Sequence, residues 1–246
     1  MSLLAIIGGT GLTSLQTLQI TRKHMVTTPW GEPSGPLTYG VLAGKAVLFL
    51  PRHGSGHTIP PHMVNYRANI WALRQVGASR VIAVAAVGGI HQELGPGQLA
   101  APDQIIDYTY SRAHTFFEEH LSQVTHVDFT YPYCPQLRGA LLAASQRTGV
   151  QLRDGGTYAA TQGPRLESAA EIRRLQRDGC DMVGMTGMPE AVLAREAGLS
   201  YATCAVVANW AAGKQQGVIQ MEDIDATLRS AMTDVRTLLA EAIALL

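Results

Sequence analysis

The 246-residue chain is poor in cysteine: Cys134, Cys180 and Cys204 are the only three, and they stand far apart. An odd, scattered set does not build a disulfide framework and suits a reducing compartment. An excess of charge of either sign is also missing, since 19 lysines and arginines face 19 aspartates and glutamates. The chain as a whole is therefore expected to bind neither nucleic acid nor an anionic membrane. No apolar run approaches the roughly 20 residues a membrane-crossing helix needs. The opening MSLLAIIGGTGL lacks a basic segment, and its apolar stretch is too short for a secretory leader. No linker, repeat or low-complexity stretch interrupts residues 1–246, so one domain is expected. With 46% apolar residues available for a core, the expectation is a cytoplasmic α/β protein.

Strand and helix patterns alternate along the whole length. LLAIIGGTGL reads as a strand entering a glycine turn, and PLTYGVLAGKAVLFLP as two strands around Gly44. MVNYRANIWALRQVGASR has helical spacing and a stop at Gly77. RVIAVAAVGG, GTYAATQGPR and SYATCAVVAN read as strands. CPQLRGALLAASQRTG, ESAAEIRRLQRDG, MPEAVLAREAGL and the tail from Glu222 to Leu246 read as helices. Such alternation predicts an α/β sandwich with a largely parallel or mixed sheet. In such sheets ligands bind at the carboxyl ends of strands. Here those ends carry GGTG, PRHGSGH, AAVGG and ANWAAG, with the TQGPRLES turn as a fifth.

Several familiar patterns are absent on inspection. IIGGTGL fails the dinucleotide spacing because Ser14 stands where the third glycine belongs, and no acid follows at the required distance. A tight turn, or an anion pocket of backbone N–H groups with the Thr10 hydroxyl, remains. In PRHGSGHTIPPH, Arg52 and His53 directly follow a buried strand, and an arginine there offers donors suited to phosphate. His57 and His62 could hold a metal, but neither H-E-x-x-H nor a cysteine pair accompanies them, and Ser55 is not in a hydrolase elbow. His91 and Glu93 give half of a zinc deaminase signature whose cysteine half is missing. No metal site is expected. Glu167 reads in isolation as a first-turn helix acid, and Met185 and Met221 as packing residues.

Taken together, IIGGTGL, the PRHG to VNYRANIWAL stretch, the GPR turn with its helix, MTGMPEAVLAREAGL and the YA to VAN strand resemble the trimeric purine nucleoside and 5′-methylthioadenosine phosphorylase family. The similarity runs from Ala5 to about Asp225. It implies a single-domain α/β sandwich with a mixed, barrel-like central sheet, a homotrimer, and phosphorolysis of a nucleoside to free purine and a ribose 1-phosphate. Inorganic phosphate is then a co-substrate and no cofactor is implied. The resemblance assigns phosphate to Thr10, Arg52, His53, Thr186 and the backbone at Ala85–Ala86, although Ala85 stands where the methylthioadenosine branch has a hydroxyl residue. Met185 and Thr186 would meet the ribose and His57 the substrate. Leu166 would lie against the purine, where the family usually has Phe. His126 matches a residue that reaches a neighbouring subunit's site.

The base-reading positions depart from the methylthioadenosine branch. That branch ends this strand in an Asp-x-Asp pair, where this chain has Asn209-Trp210-Ala211, and it carries a small polar residue where Glu167 stands. The 6-oxopurine phosphorylases carry Glu and Asn. A carboxylate accepts from the N1–H of a 6-oxopurine, and an amide donates to O6 and accepts from a protonated N7. Met221 and Ile224 fall where true 6-oxopurine enzymes use a histidine for the 5′-hydroxyl, and an apolar pair suits a thioether methyl. The expected substrate is 5′-methylthioinosine, with inosine or guanosine as the alternative and 5′-methylthioadenosine as a lesser one.

Overall fold

The computed structural model describes residues 3–12, 17–119 and 121–246. Ser14, which breaks the glycine spacing, lies outside them. Four strands open the chain: β1 (Leu3–Gly8), β2 (Gln19–His24), β3 (Leu37–Leu42) and β4 (Lys45–Pro51). Helix α1 (Tyr66–Gln75) and the long strand β5 (Ala78–Gly89) follow. Then come β6 (Leu99–Ala101), β7 (Gln104–Asp107), α2 (Pro135–Thr148), β8 (Leu152–Asp154), β9 (Thr157–Ala160) and α3 (Ala169–Arg177). Strand β10 (Met182–Gly184), α4 (Gly187–Glu196), β11 (Ser200–Trp210) and α5 (Met221–Leu245) complete it.

The strands form one mixed 11-stranded sheet. Its main path runs β2-β3-β4-β1-β5-β10-β9-β7, and β11 leads from β5 through β6 to β8. Thus the barrel-like sheet expected takes the form of a sheet that branches at β5. That strand pairs in parallel with β1 and β11 and, at its end, antiparallel with β10.

Successive strand residues point to opposite faces, so a central strand must be apolar on both. In β5, Val81, Ala83, Ala85 and Val87 enter one core and Ile82 and Val84 the other. Helices α1 and α4 cover the first core through Ile70, Leu73, Ala191 and Leu193. Helices α2 and α5 cover the second through Leu137, Leu141, Met232 and Val235. The helix signals act locally: Asn65 caps α1 by accepting from Ala68 N at 3.0 Å. Ser168 and Glu171 form a capping box on α3. All three cysteines are free thiols.

Strand β11 does not stop at Asn209 but runs on to Trp210. Its parallel register with β5 slips between Val207, opposite Val87, and Asn209, opposite Gly88. Ala208 is the extra residue of a bulge, a device that breaks the two-residue alternation and re-aims the chain. As a result the consecutive residues Ala208 and Asn209 both face the same cavity.

Candidate active site

That cavity, of about 490 Å³, lies where β1, β4, β5, β10 and β11 end. Its size is in the range of small-molecule sites. Of the expected residues it gathers Thr10, Arg52, His53, His57, Ala86, Leu166, Glu167, Met185, Thr186, Asn209, Ala211 and Ile224. Residues from seven separate stretches of chain therefore converge on one space.

The floor is built around Arg52, which is 1% exposed. Its Nε and Nη2 donate to the two carboxylate oxygens of Glu190, each at 2.7 Å, and Nη1 donates to Val84 O at 2.9 Å. Burial alone would lower the Arg52 pKa, but the Glu190 carboxylate outweighs it and raises the value. Tyr201 donates to Glu190 Oε1 at 2.8 Å and completes the buried network. This modifies the role expected of Arg52. The fork suited to phosphate is spent on Glu190, and these bonds leave one N–H on Nη1 and one on Nη2. Gly9 permits the close packing, since a Cβ there would meet Val84 O at 2.5 Å and Arg52 Nη1 at 2.8 Å.

His53 stands beside the arginine. Its Nδ1–H donates to Ile59 O at 2.8 Å, because a carbonyl can only accept. The neutral ring then presents Nε2 as an acceptor. Burial, helped by the Arg52 charge, holds the His53 pKa down at about 4, so the ring is neutral at pH 7. His57 packs against it with ring centroids 4.8 Å apart and lies 3.5 Å from the Thr10 hydroxyl. Its pKa is also lowered, chiefly by burial, against the raising effect of Asp225.

At the opposite end, Glu167 Oε1 accepts from the Thr161 hydroxyl at 2.6 Å. Asn209 donates from Nδ2 to Trp210 O at 2.7 Å. That bond fixes the amide orientation and leaves Oδ1 and one N–H for a ligand. The remaining wall is apolar: Ile219, Ile224 and Leu228 come from α5 and the segment before it.

Three expected positions are not among the residues lining this cavity. Ala85 is buried in the core opposite Ala205, because strand alternation turns it away from the face that Ala86 supplies. Met221 begins α5, is 52% exposed and does not line the cavity; Ile219 turns inward in its place. His126, expected to serve a neighbouring copy's site, is exposed on the long 108–134 connection. His91 and Glu93 both engage Arg153. Among the described residues no cluster of three or more His, Cys, Asp or Glu side chains could hold one.

Sequence reasoning missed Glu190, Thr161, Ile219 and Arg112. Arg112 is almost wholly buried and donates to Met185 O and Met188 O at 2.8 and 2.6 Å and to Gln162 O at 2.7 Å, tying the stretch after β10 to the turn before Glu167. A signal existed for Glu190: an acid among Met188, Ala191, Leu193 and Ala194 on a core-facing helix must find a cation.

The chain matches the phosphorylase superfamily model over residues 3–244. It is 55% identical over 243 residues to a Pseudomonas syringae pv. tomato protein named "Probable S-methyl-5′-thioinosine phosphorylase", with 99% of each chain covered. It is 45% identical over 251 residues to a Pyrococcus furiosus 6-oxopurine nucleoside phosphorylase, covering 100% of this chain and 94% of that one. In structure it is similar to Schistosoma mansoni methylthioadenosine phosphorylase in complex with adenine, with a TM-score of 0.95 and 33% identity, covering 100% of this chain and 92% of that one. The chain belongs to the phosphorylase superfamily.

Proposed function

We propose that this superfamily member carries out phosphorolysis of 5′-methylthioinosine to hypoxanthine and 5-methylthioribose 1-phosphate. The observation that carries the reading is the pairing of Glu167 with Asn209 in one cavity, a carboxylate and an amide where the base edge must lie. The ionised carboxylate accepts from N1–H, and the free part of the Asn209 amide serves O6 and N7. An adenine presents a bare N1 lone pair to Glu167 instead, and a buried unpaired group costs about 1–3 kcal/mol. The names of the Pseudomonas syringae and Pyrococcus furiosus relatives support the same base class, whereas the Schistosoma mansoni structure holds adenine.

In the proposed reaction an oxygen of hydrogen phosphate bonds to C1′ as the C1′–N9 bond breaks. The bonding pair leaves with the purine, and the proton of the phosphate ends, through solvent, on N7. Thr10, Thr186, the backbone at Ala86, the free N–H groups of Arg52 and the His53 Nε2 acceptor orient the phosphate. Because Glu190 balances the charge of Arg52, these contacts act as directed hydrogen bonds. Asn209 and Glu167 stabilise the purine as negative charge builds on it. Met185 lies at the ribose and Leu166 against the base. No resident cofactor or metal is assigned, so treatment with a chelator leaves the rate unchanged. We further propose a cytoplasmic homotrimer of one-domain subunits in which His126 serves a neighbouring copy's site; light scattering at working concentration tests the trimer.

The exposed position of Met221 favours a second reading, a general inosine and guanosine phosphorylase, because one of the two residues expected at the thioether lies off the cavity. Ile219, Ile224 and Leu228 still give the sugar end an apolar wall. A panel of methylthioinosine, methylthioadenosine, inosine, guanosine and adenosine at equal concentration, with and without phosphate, decides. Preference for inosine over methylthioinosine replaces the first reading with the second.

A further inference from the structure

Glu167 lies between two cavities. It lines the 490 Å³ site and also a neighbouring space of about 370 Å³ formed by Tyr108, Gln162, Arg165 and Arg174 among others. Thr161 lines only the second, so its hydroxyl approaches the carboxylate from behind. The hydroxyl has one proton and two acceptors within reach: Glu167 Oε1 at 2.6 Å and Gly184 O at 3.3 Å. The shorter contact takes the proton. Thr161 is itself held in place, since its backbone N–H donates to Gly184 O at 2.8 Å at the end of β10. The cations nearby are otherwise engaged: Arg165 donates to both oxygens of Glu171 at 2.7 and 2.8 Å, and Arg174 lies over the Tyr108 ring.

We propose that Thr161 is the positioning residue that sets base specificity, by binding one oxygen of Glu167 from outside and leaving the other for the N1–H of the substrate. The inference rests on the reading of Glu167 given under Proposed function and adds a group that does not touch the base. A hydroxyl held at 2.6 Å restrains the carboxylate from turning, the change that would let it tolerate a 6-amino base.

The test compares wild type with Thr161→Val, Thr161→Ala, Thr161→Ser and Glu167→Gln. For each, kcat/KM is measured on methylthioinosine and methylthioadenosine at pH 7. Thr161→Val and Thr161→Ala should each narrow the 6-oxo over 6-amino preference by about ten- to a hundredfold, the range commanded by a hydrogen bond to a charged group. Thr161→Ser should restore the preference. Equal losses on both substrates, or failure of the serine to rescue, overturn the proposal. If wild type itself prefers methylthioadenosine, or Glu167→Gln leaves the preference unchanged, the reading of Glu167 fails first. If those controls behave and only the Thr161 variants are silent, the fault lies with this inference alone.

Discussion

Asn209 and Glu167 reach the site from different stretches of chain, so each can be altered without removing the other. Asn209→Ala should lower kcat by about tenfold or more, the scale of one lost charge-stabilising hydrogen bond, while the KM for phosphate stays within a factor of two or so. Steady-state kinetics with each substrate varied would show it, and equal changes in both parameters would remove the assigned role. The double change Asn209→Asp with Glu167→Ser should move preference towards the 6-amino nucleoside. Arg52 and Glu190 behave as one unit. Glu190→Ala leaves an arginine buried without its partner, which costs about 3–5 kcal/mol, and the urea midpoint should fall accordingly. These two residues also show what single-sequence reading reaches. Arg52 was legible as an anion group because it follows a buried strand, but its engagement with Glu190 was not, because the partners are 138 residues apart and nothing local encodes the pairing.

At the scale of elements, the long pieces were legible and the short ones were not. Helices α1 and α3 announce themselves through side-chain caps, and α2 through its stop at Gly149, φ 76°. Strands β1, β4, β5 and β11 are long apolar runs. By contrast β6, β8 and β10 have three residues each, too few for alternation to register, and β2 is exposed at all six positions. The bulge at Ala208 was invisible too, since a parallel register is a property of two strands. Without it Asn209 would not share the cavity with Ala208. The cap of α3 sits directly beside Glu167, so helix and base reader are linked. Ser168→Ala removes the cap acceptor and should cost about 1 kcal/mol in unfolding by denaturant, with a rise in the KM for nucleoside.

For the whole molecule, the site couples to stability through His53. Its pKa is about 4 when folded against 6.5 as the ordinary value, so the unfolded chain binds the proton more readily. Between those values stability should fall as the solution is acidified, by up to about 1.4 kcal/mol per pH unit from this residue, and level off below about pH 4. A series of unfolding curves from pH 7 to 4 checks it, and His53→Gln should flatten the slope. The internal balance of Arg52 by Glu190 reaches further still. Arg52 is the only arginine or lysine among the described residues lining the cavity, and the chain carries equal numbers of acids and bases. An incoming anion therefore meets almost no long-range field and is recognised only on arrival. Capture of phosphate should then be nearly insensitive to ionic strength between about 0.01 and 0.15 M, a range over which the screening length shrinks from about 30 to 8 Å.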